Sequence, residues 1–395
     1  MQTFDRRFFL KSSLLGAGGA LLAGTSPGRA LSSSVNAGEE KKPVIRRPLG
    51  ATGIELPVVS MGVMRADNPE LVRAALAAGM VHLDTAHFYQ KGRNETMLGE
   101  VLKDYKRDAY VISTKVPPEQ GEGAAAVTAW LEKLDLSLTR LKLTYVDILY
   151  LHGVSSRAEV LNPAMLEAMQ RAKTSGRARH IGVSTHKNEP EVLDASVESG
   201  VIEVVLSAMN FQQDYREELS HAVDRAAKAG IGVVAMKTMA GGFHDKERKH
   251  PINCVAALKW SLQNPHVATA IPGMTSFDML AQNARVNEDL TLTEEERSDL
   301  AYGPAEGGLY CQGCGSCVKG CPHRLPIPEL MRAYMYTYGY RDLALAQNLL
   351  SKHAAVGAEC STCIRCTATC VKGFDVAGRI ADVRRVKEIP EEFLA

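Results

Sequence analysis

The sequence has no large charge imbalance and no long apolar run in its main part, and both absences narrow what the protein can be. Its 46 basic residues are balanced by 45 acidic ones, which leaves a formal net charge of +1. A chain without a basic excess has no electrostatic reason to bind nucleic acid or an acidic membrane surface. After residue 24, no apolar run approaches the roughly 20 residues of a membrane-spanning helix. We therefore expect no nucleic-acid partner and no stable membrane span after signal cleavage.

The sequence also lacks the glycine-rich turn that is typical of a doubly wound dinucleotide-binding sheet. The turn after its first β-branched run, SMGVMRAD, is not G-x-G-x-x-G. Eight such runs alternate with amphipathic helical stretches, which predicts a parallel sheet because parallel neighbours need crossover connections. Eight repeats indicate an α/β fold of the (β/α)8 TIM barrel type. The segment before the first strand, RRPLGATGIELP, is predicted to form a hairpin that could plug the bottom of the barrel. The predicted strands span residues 58–64, 81–86, 110–116, 145–153, 178–184, 204–210, 232–238 and 267–273.

The N-terminus has the charged and then apolar composition of a signal peptide. Arg6 and Arg7 open the pattern R-R-x-F-L-K, and an apolar stretch with small residues up to Ala30 follows. The arginine pair favours a twin-arginine signal over an ordinary secretory one. We predict a signal peptide over residues 1–30, a linker over 31–44, and export to the periplasm by the twin-arginine translocase. A frayed terminus and an uncleaved helix on the bilayer are the alternatives.

Four ionisable residues stand at the ends of successive predicted strands, where the chemistry of this fold takes place. Asp84 and Tyr89 follow the second strand, Lys115 ends the third and His152 ends the fourth. Asp84 could keep a buried Lys115 charged, and a charged Lys115 would lower the pKa of Tyr89. Tyr89 is then the predicted general acid toward a carbonyl oxygen, while His152 helps to orient the substrate. Any one of the four alone would more often be structural.

The sequence around these residues resembles the aldo/keto reductases. LDTAHFYQKGRNETMLGEVL carries the family's D-T-A-x-x-Y pattern, and STK, LHG, IGVS and GIGVVAMKTMAGG follow in the expected order. The resemblance implies a barrel, predicted over residues 45–303, that binds NADP(H) across its C-terminal mouth and transfers hydride to a carbonyl. By residue matching, it implies that the catalytic residues are Asp84, Tyr89, Lys115 and His152.

The same resemblance implies which residues would contact the dinucleotide. Ser184 matches the serine that holds the nicotinamide amide, Lys237 belongs to the pyrophosphate side, and Gln282 belongs to the adenine side. Relatives often carry a basic residue at the positions of Gly273 and Met279 to bind the 2′-phosphate of NADP, so the predicted cofactor is NADP(H) or NAD(H). The predicted cofactor-binding residues are Ser184, Asn210, Lys237, Gly241, Gly242, Pro272, Gly273, Gln282 and Asn283.

The end of the chain carries two cysteine runs of identical spacing. CQGCGSCVKGCP and CSTCIRCTATC both have the spacing C-x2-C-x2-C-x3-C, in which three thiolates hold one [4Fe–4S] cluster and the fourth reaches a second cluster. Zinc sites usually split their thiolates into two separated pairs, and neighbouring cysteines at these spacings are poor disulfide partners, although both remain alternatives. On the cluster pattern, one site takes Cys311, Cys314, Cys317 and Cys370, and the other takes Cys360, Cys363, Cys366 and Cys321.

The stretch between the two runs has the apolar spacing of a helix. This block, IPELMRAYMYTYGYRDLALAQNLLSK with its flanking cysteines, resembles the α-helical ferredoxins, and a subgroup of aldo/keto reductases carries such an extension. We predict a mostly α-helical ferredoxin-like domain with two [4Fe–4S] clusters over residues 304–395. The twin-arginine route moves folded proteins, so the predicted signal peptide and the predicted clusters support each other.

These features predict an exported iron–sulfur oxidoreductase of the aldo/keto reductase type. Its barrel would reduce a small-molecule carbonyl or oxidise an alcohol, and its clusters would relay electrons to a redox partner protein. A second hypothesis is an electron-transfer or scaffold module whose barrel no longer binds nicotinamide, which Leu206, Gly273 and Met279 favour. A third treats the clusters as structural pins. Hydride carries two electrons and each cluster handles one, and no flavin motif links them.

Overall fold

The computed structural model describes residues 43–302, 308–353, 360, 363 and 365–394. The predicted signal peptide and nearly all of the predicted linker lie outside these residues, and so does the predicted boundary between residues 303 and 304. In the part of the chain that is described, no helix is both long and apolar enough to cross a bilayer.

The main sheet contains eight parallel strands that follow one another in chain order. Parallel bridges from Val59 to Ala270 and from Gly62 to Gly273 join the first of these strands to the last. The predicted TIM barrel is therefore confirmed. A short antiparallel hairpin precedes it, formed by β1 (Arg46–Pro48) and β2 (Glu55–Pro57). The barrel strands are β3 (Met61–Gly62), β4 (His82–Asp84), β5 (Val111–Val116), β6 (Val146–His152), β7 (Ala178–Thr185), β8 (Val204–Ala208), β9 (Gly232–Met236) and β10 (Val267–Ala270).

The strands are buried on both faces because successive side chains point alternately into the barrel and toward the helices. In β6, Ile148 and Tyr150 belong to the inner cluster, whereas Leu149 and Leu151 pack in the cluster outside the barrel. Leu49 and Leu56 of the hairpin are fully buried in the same inner cluster. The hairpin therefore plugs the barrel as the sequence predicts.

Helices connect the strands and cover the outside of the barrel. Several begin with side-chain caps, such as Asn162, whose carbonyl oxygen accepts from the Met165 amide. The helices of the barrel region are α1 (Pro69–Ala77), α2 (Arg93–Leu102), α3 (Gly123–Leu141), α4 (Arg157–Val160), α5 (Pro163–Thr174), α6 (Glu189–Ser199), α7 (Arg216–Lys228), α8 (Cys254–Ser261), α9 (Phe277–Val286) and α10 (Glu294–Ala301).

The C-terminal region is helical, but the helix predicted between the two cysteine runs is divided in two. The helices described there are α11 (Ser316–Lys319), α12 (Ile327–Tyr338), α13 (Leu343–Ser351) and α14 (Val376–Arg384). Gly339 ends α12 against the barrel, where a Cβ would lie 2.7 Å from the Gly241 carbonyl oxygen. Arg341 then takes a left-handed conformation, and Asp342 caps α13 by accepting from the Leu345 amide at 2.9 Å. Close tertiary contact, which helical periodicity does not report, therefore breaks the helix.

The C-terminal helices share a hydrophobic core with loops at the barrel mouth. Ala240 and Ile252 of the barrel pack in one buried cluster with Leu309, Met331 and Met335. Because this cluster contains residues of both regions, the C-terminal helices lie on the end of the barrel where the strands finish.

Candidate active site and cysteine-lined cavities

The four predicted catalytic residues lie together at the barrel mouth. The Lys115 ammonium donates to Asp84 Oδ2 at 2.5 Å and to the Tyr89 hydroxyl at 3.3 Å. The Tyr89 and His152 rings are 6.1 Å apart, centroid to centroid. Asp84 and Lys115 are almost completely buried, because both occupy the ends of neighbouring parallel strands, β4 and β5. The structure therefore brings all four residues around one point.

The predicted lowering of the Tyr89 pKa is wrong. Burial raises the pKa of Tyr89 well above its usual value, and the Asp84 carboxylate adds to that increase. Asp84 Oδ2 lies 2.5 Å from the Lys115 ammonium and the Tyr89 hydroxyl lies 3.3 Å from it, and a carboxylate opposes the effect of an ammonium on the pKa of a nearby phenol. Tyr89 is therefore protonated over the whole physiological pH range, which is the state that a general acid needs.

His152 is held in its neutral form. Burial lowers the pKa of His152 well below its usual value, and the nearby Lys115 and Lys352 charges add to this effect. Its ring stacks on Phe88 with a centroid distance of 4.8 Å. Its Nδ1 atom is buried and has no hydrogen-bond partner among the described residues. A neutral imidazole can donate one hydrogen bond and accept another, so it can orient a bound carbonyl or hydroxyl group.

Sequence reasoning missed the residues that support this site. Ser113 donates from Oγ to Asp84 Oδ1 at 2.7 Å, and the Thr85 carbonyl accepts from Lys115 at 2.7 Å. Ser113 lies two residues before Lys115 in β5, so strand alternation puts both side chains on one face. That alternation was the signal that could have identified Ser113. No comparable local pattern identifies His186. Burial lowers the pKa of His186, and the nearby Arg332 charge lowers it further.

The residues matched to the nicotinamide lie on adjacent strand ends. Ser184 Oγ accepts from the Gly153 amide at 3.0 Å, which places it next to His152. Asn210 donates from Nδ2 to the Lys237 carbonyl at 3.3 Å. Leu206, which stands where relatives often carry glutamine, is fully buried inside the barrel.

The residues matched to the pyrophosphate are covered by the C-terminal region. The Lys237 ammonium lies 3.4 Å from the Tyr336 hydroxyl and 5.8 Å from the centre of the Tyr340 ring. A Cβ at Gly241 would lie 3.1 Å from Met335 Cγ. Gly242 has open space around its Cα, whereas Lys237 and Gly241 are in contact with Tyr336 and Met335 of α12. A pyrophosphate at Lys237 and Gly241 would therefore compete with α12 for these positions.

The residues matched to the adenosine end are divided between surface and core. Gln282 and Gly273 are exposed, whereas Asn283 and Pro272 are buried. The Pro272 carbonyl accepts from the Gly62 amide at 3.1 Å as part of barrel closure. Gln282 is therefore free to contact a ligand, while Pro272 and Asn283 face the protein.

The eight C-terminal cysteines line two cavities, four to each. All are free thiols, and so is Cys254 at the start of α8. Each cavity combines cysteines of both runs: the first three cysteines of one run and the fourth cysteine of the other run. The first cavity is lined by Cys311, Cys314, Cys317 and Cys370, and the second by Cys321, Cys360, Cys363 and Cys366.

This donor set fits a pair of cubane clusters. Among the described residues, no three side chains are placed to hold a single metal ion, whereas four thiols around a cavity are the arrangement that a [4Fe–4S] cluster requires. Burial raises the pKa of Cys311 to about 12 and also raises that of Cys360. To bind iron as thiolates, these buried thiols would have to release their protons, so binding of the clusters would be coupled to proton release.

Comparisons with known proteins agree with both halves of the structure. The aldo/keto reductase family model matches residues 59–255, and the 4Fe-4S dicluster domain model matches residues 310–375. L-galactose dehydrogenase of Arabidopsis thaliana is 26% identical over 297 residues, covering 64% of this chain and 92% of that protein. L-glyceraldehyde 3-phosphate reductase of Escherichia coli K12 is 25% identical over 328 residues, covering 67% and 93% respectively.

Solved structures share the barrel. The holo form of an aldo-keto reductase from Bacillus halodurans superposes with a TM-score of 0.54 at 23% identity, covering 65% of this chain and 95% of that one. An aldo/keto reductase from Klebsiella pneumoniae superposes with a TM-score of 0.53 at 24% identity, covering 64% and 92%. Together with the site geometry, these matches lead to one conclusion: the chain is an oxidoreductase that combines an aldo/keto reductase barrel with a C-terminal 4Fe–4S dicluster domain.

Proposed function

We propose that the barrel reduces a small-molecule carbonyl, or oxidises the corresponding alcohol, with Tyr89 as the proton donor and acceptor. The observation that carries this proposal is the contact of the Lys115 ammonium with both Asp84 and the Tyr89 hydroxyl. A buried ammonium beside a phenol stabilises the charge that develops on the phenol oxygen as its proton leaves.

Each residue has a distinct task in this chemistry. The substrate oxygen lies between the Tyr89 hydroxyl and the His152 ring, and Tyr89 gives it a proton as the carbonyl carbon is reduced. Lys115 then faces the tyrosinate oxygen, while Asp84 keeps the ammonium charged despite burial that lowers the pKa of Lys115. His152 is neutral and holds the substrate oxygen without competing for the proton.

A nicotinamide dinucleotide is the proposed two-electron partner, and when bound it would supply or accept hydride. The neighbour from Klebsiella pneumoniae was solved in complex with NADP, which supports NADP(H), and the departures at Gly273 and Met279 leave NAD(H) open. Tyr336 and Met335 cover the Lys237 and Gly241 loop in the described arrangement. Dinucleotide binding therefore requires α12 to move.

That covered loop also favours a second candidate function. If α12 stays in place, the barrel does not bind nicotinamide, and the protein acts as an electron-transfer or scaffold module built on a reductase fold. Titration of the cluster-loaded protein with NADPH and NADH, followed by cofactor fluorescence, separates the two. Saturable quenching supports the reductase, whereas no quenching at millimolar dinucleotide supports the module.

We further propose that the chain binds two clusters, that these exchange electrons with a redox partner protein, and that the protein is exported folded by the twin-arginine route. The support is the two four-cysteine cavities, each of which is lined by one exposed cysteine, Cys314 in the first and Cys366 in the second, and the arginine pair at the N-terminus. Fractionation of cells that express the full chain, and of cells that express an Arg6→Lys/Arg7→Lys variant, tests the export.

Replacement of Tyr89 by Phe tests the central proposal. Turnover of a panel of aldehydes, including para-nitrobenzaldehyde, should fall by about 10²- to 10⁴-fold, which is the usual contribution of a positioned general acid. Tyr150→Phe is the matched control, because the Tyr150 hydroxyl is buried inside the barrel without a partner among the described residues. Unchanged turnover in Tyr89→Phe would contradict the assignment.

A further inference from the structure

The two cysteine-lined cavities are adjacent, and the first is held against the barrel. Ile327 and Val376 line both cavities. Gln312, which lines the first, donates from Nε2 to Asp214 Oδ2 at 3.2 Å, and its carbonyl accepts from the Tyr215 hydroxyl at 3.1 Å. All the described residues that line the second cavity belong to the C-terminal region. The first cavity therefore adjoins the barrel, whereas no described barrel residue lines the second.

The charge beside the first cavity is neutralised by the barrel. Among the described residues that line this cavity, Lys372 is the only charged one, and its ammonium lies 2.6 Å from Asp214 Oδ1. The same ammonium donates to the Gln212 carbonyl at 3.2 Å. Because Lys372 and Asp214 carry opposite charges, this pair leaves no net charge beside the first cavity.

The charged residues that line the second cavity are basic. Arg365 and Arg384 line it together with His323, and no carboxylate does so among the described residues. Arg365 lies between Cys363 and Cys366 in the second cysteine run and is exposed, as is His323. Arg384 stands in the last turn of α14 and is partly exposed. These three residues, which we call the basic rim, present positive charge to solvent.

The carboxylates of the neighbouring helix are engaged elsewhere. Asp375 Oδ1 accepts from the Gly378 amide at 2.9 Å and so caps α14. Asp382 pairs with Lys246 of the barrel region, with Oδ2 and Nζ 3.6 Å apart. A group of exposed charges of one sign attracts a partner of the opposite sign and raises its association rate. The basic rim therefore suits an acidic partner.

We propose that electrons enter and leave this protein at the second cavity, through an acidic one-electron carrier protein that docks on the basic rim. The inference rests on the proposed electron exchange with a redox partner, and it adds where that partner binds and which charge it carries. Cys366 is exposed at this cavity, so a docked carrier can approach the cluster ligands closely. One electron passes in each transfer, from a reduced cluster to the oxidised centre of the carrier or in the reverse direction, and no covalent bond is formed or broken.

The first cavity is the alternative exchange point, because Cys314 is exposed there. Val371 also lines this cavity, and 63% of its surface is exposed. A partner at the first cavity would meet an apolar side chain and the neutral pair of Lys372 and Asp214. Its docking would therefore depend little on its own charge or on salt, whereas docking on the basic rim depends on both.

The test measures how fast the photochemically reduced, cluster-loaded full chain reduces two forms of one c-type cytochrome. One form is a native cytochrome with a basic surface, and the other is the same protein with its lysines succinylated, which makes it acidic. Stopped-flow absorbance of the haem follows each reaction. At low ionic strength, we expect the succinylated form to be reduced about tenfold faster or more, and added salt should diminish this difference because it screens the charges.

Replacement of one rim residue tests where the acidic cytochrome docks. Arg365→Gln should slow reduction of the succinylated form by about threefold, because one attractive charge is lost from the encounter. The variants are compared with the same cytochrome, so the driving force on the acceptor side is constant. Lys228→Gln is the matched control, since it removes an exposed positive charge from α7, away from both cavities, and it should leave the rate unchanged.

Iron analysis of each variant shows whether both clusters are retained. If Arg365→Gln loses iron, Arg384→Gln tests the basic rim from α14. Equal rates with the two cytochromes in the wild type, or a faster reaction with the native form, would overturn the proposal. Slower reduction of the succinylated form in Lys372→Gln, with no change in the rim variants, would place the exchange at the first cavity instead. Failure of the reduced clusters to reduce either cytochrome would contradict the proposed electron exchange itself.

Discussion

The barrel mouth and the cysteine-lined cavities hold their polar side chains in opposite ways. At the barrel mouth, Asp84 binds Lys115 and Ser113, and Lys115 also binds the Thr85 carbonyl, so the buried charges are satisfied by the protein itself. In the cluster domain, thiol contacts are weak, such as the 3.5 Å contact from Cys314 to Ser316. The polar groups of the barrel site are therefore held by other protein groups, whereas the thiols have few strong contacts within the described residues and are open to binding a cluster.

This contrast reflects how each region is stabilised. The barrel strands bury apolar side chains on both faces, and burial of that extent stabilises a fold without any ligand. The C-terminal helices are short, and their buried cluster includes or borders cysteines of both runs. Metal binding by thiols in such a core contributes directly to the free energy of folding. We therefore expect the barrel and the C-terminal helices to respond differently when one buried side chain is replaced.

The largest effect should follow from removal of a cluster ligand. Replacement of Cys317 by Ala should abolish one cluster, so that iron falls from about eight to about four per chain, and the C-terminal helices should lose structure while the barrel remains folded. Iron and sulfide analysis, circular dichroism and limited proteolysis measure the three outcomes. The control is Cys254→Ser, which alters a thiol outside both cavities and should leave iron unchanged.

The fourth cysteine of each run lines the cavity of the other run, and this arrangement can be tested separately. Cys370→Ala should lower the same electron paramagnetic resonance signal as Cys314→Ala, because both thiols line the first cavity. Loss of the signal that Cys363→Ala removes would show that each run holds its own cluster. Zinc without sulfide in the purified wild type would exclude clusters altogether.

A smaller but still large effect should follow from breaking the buried ion pair in the barrel. Asp84→Asn leaves the Lys115 ammonium buried without its counter-ion, and this should lower the free energy of unfolding by about 3–5 kcal/mol. Urea denaturation of the cluster-loaded protein measures it. Asp194→Asn, which breaks the exposed pair with Arg225, is the control and should cost about 1 kcal/mol or less. Equal effects in the two variants would show that the Asp84 pair is not buried as described.

The smallest of the three effects concerns acid stability. His82 is fully buried, its Nε2 lies 3.0 Å from Ser113 Oγ, and burial lowers its pKa from 6.5 to about 4. The unfolded chain therefore binds a proton more readily than the folded barrel does. The stabilising contribution is complete above pH 6.5 and is lost as the pH falls from 6.5 to about 4, with a total of about 3 kcal/mol.

Replacement of His82 by Asn should flatten the acid limb of the stability curve, measured as the free energy of unfolding between pH 7 and pH 4. Asn keeps a polar group near Ser113 but cannot take up a proton in this range. His221→Asn is the control, because its ring is exposed on α7. If the free energy of unfolding of His82→Asn depends on pH as steeply as that of the wild type, the acid sensitivity comes from other groups.

Much of the fold was predictable because its signals are local. Strand and helix periodicity placed all eight barrel strands to within a few residues, and the predicted plugging hairpin is present. The order of Asp84, Tyr89, Lys115 and His152 along successive strands was enough to predict one site, since parallel strands end at the same face. The spacing of the cysteine runs likewise anticipated which thiols share a cavity.

Other features depend on contacts between distant parts of the chain. The Tyr89 pKa depends on burial and on how closely Asp84 approaches Lys115, and neither is visible in the spacing of the residues. The break at Gly339 follows from the approach of α12 to Gly241. The same approach covers the loop that the family resemblance assigns to the pyrophosphate.

The amino-acid order by itself determined the barrel, the four polar residues at its mouth and the two cysteine sets, because periodicity and ligand spacing act over short stretches of chain. Only the tertiary structure decided that α12 lies across the mouth and brings Arg332 and Tyr336 to the reacting end. That arrangement depends on the shape and charge of two surfaces far apart in sequence, and no local pattern encodes their meeting.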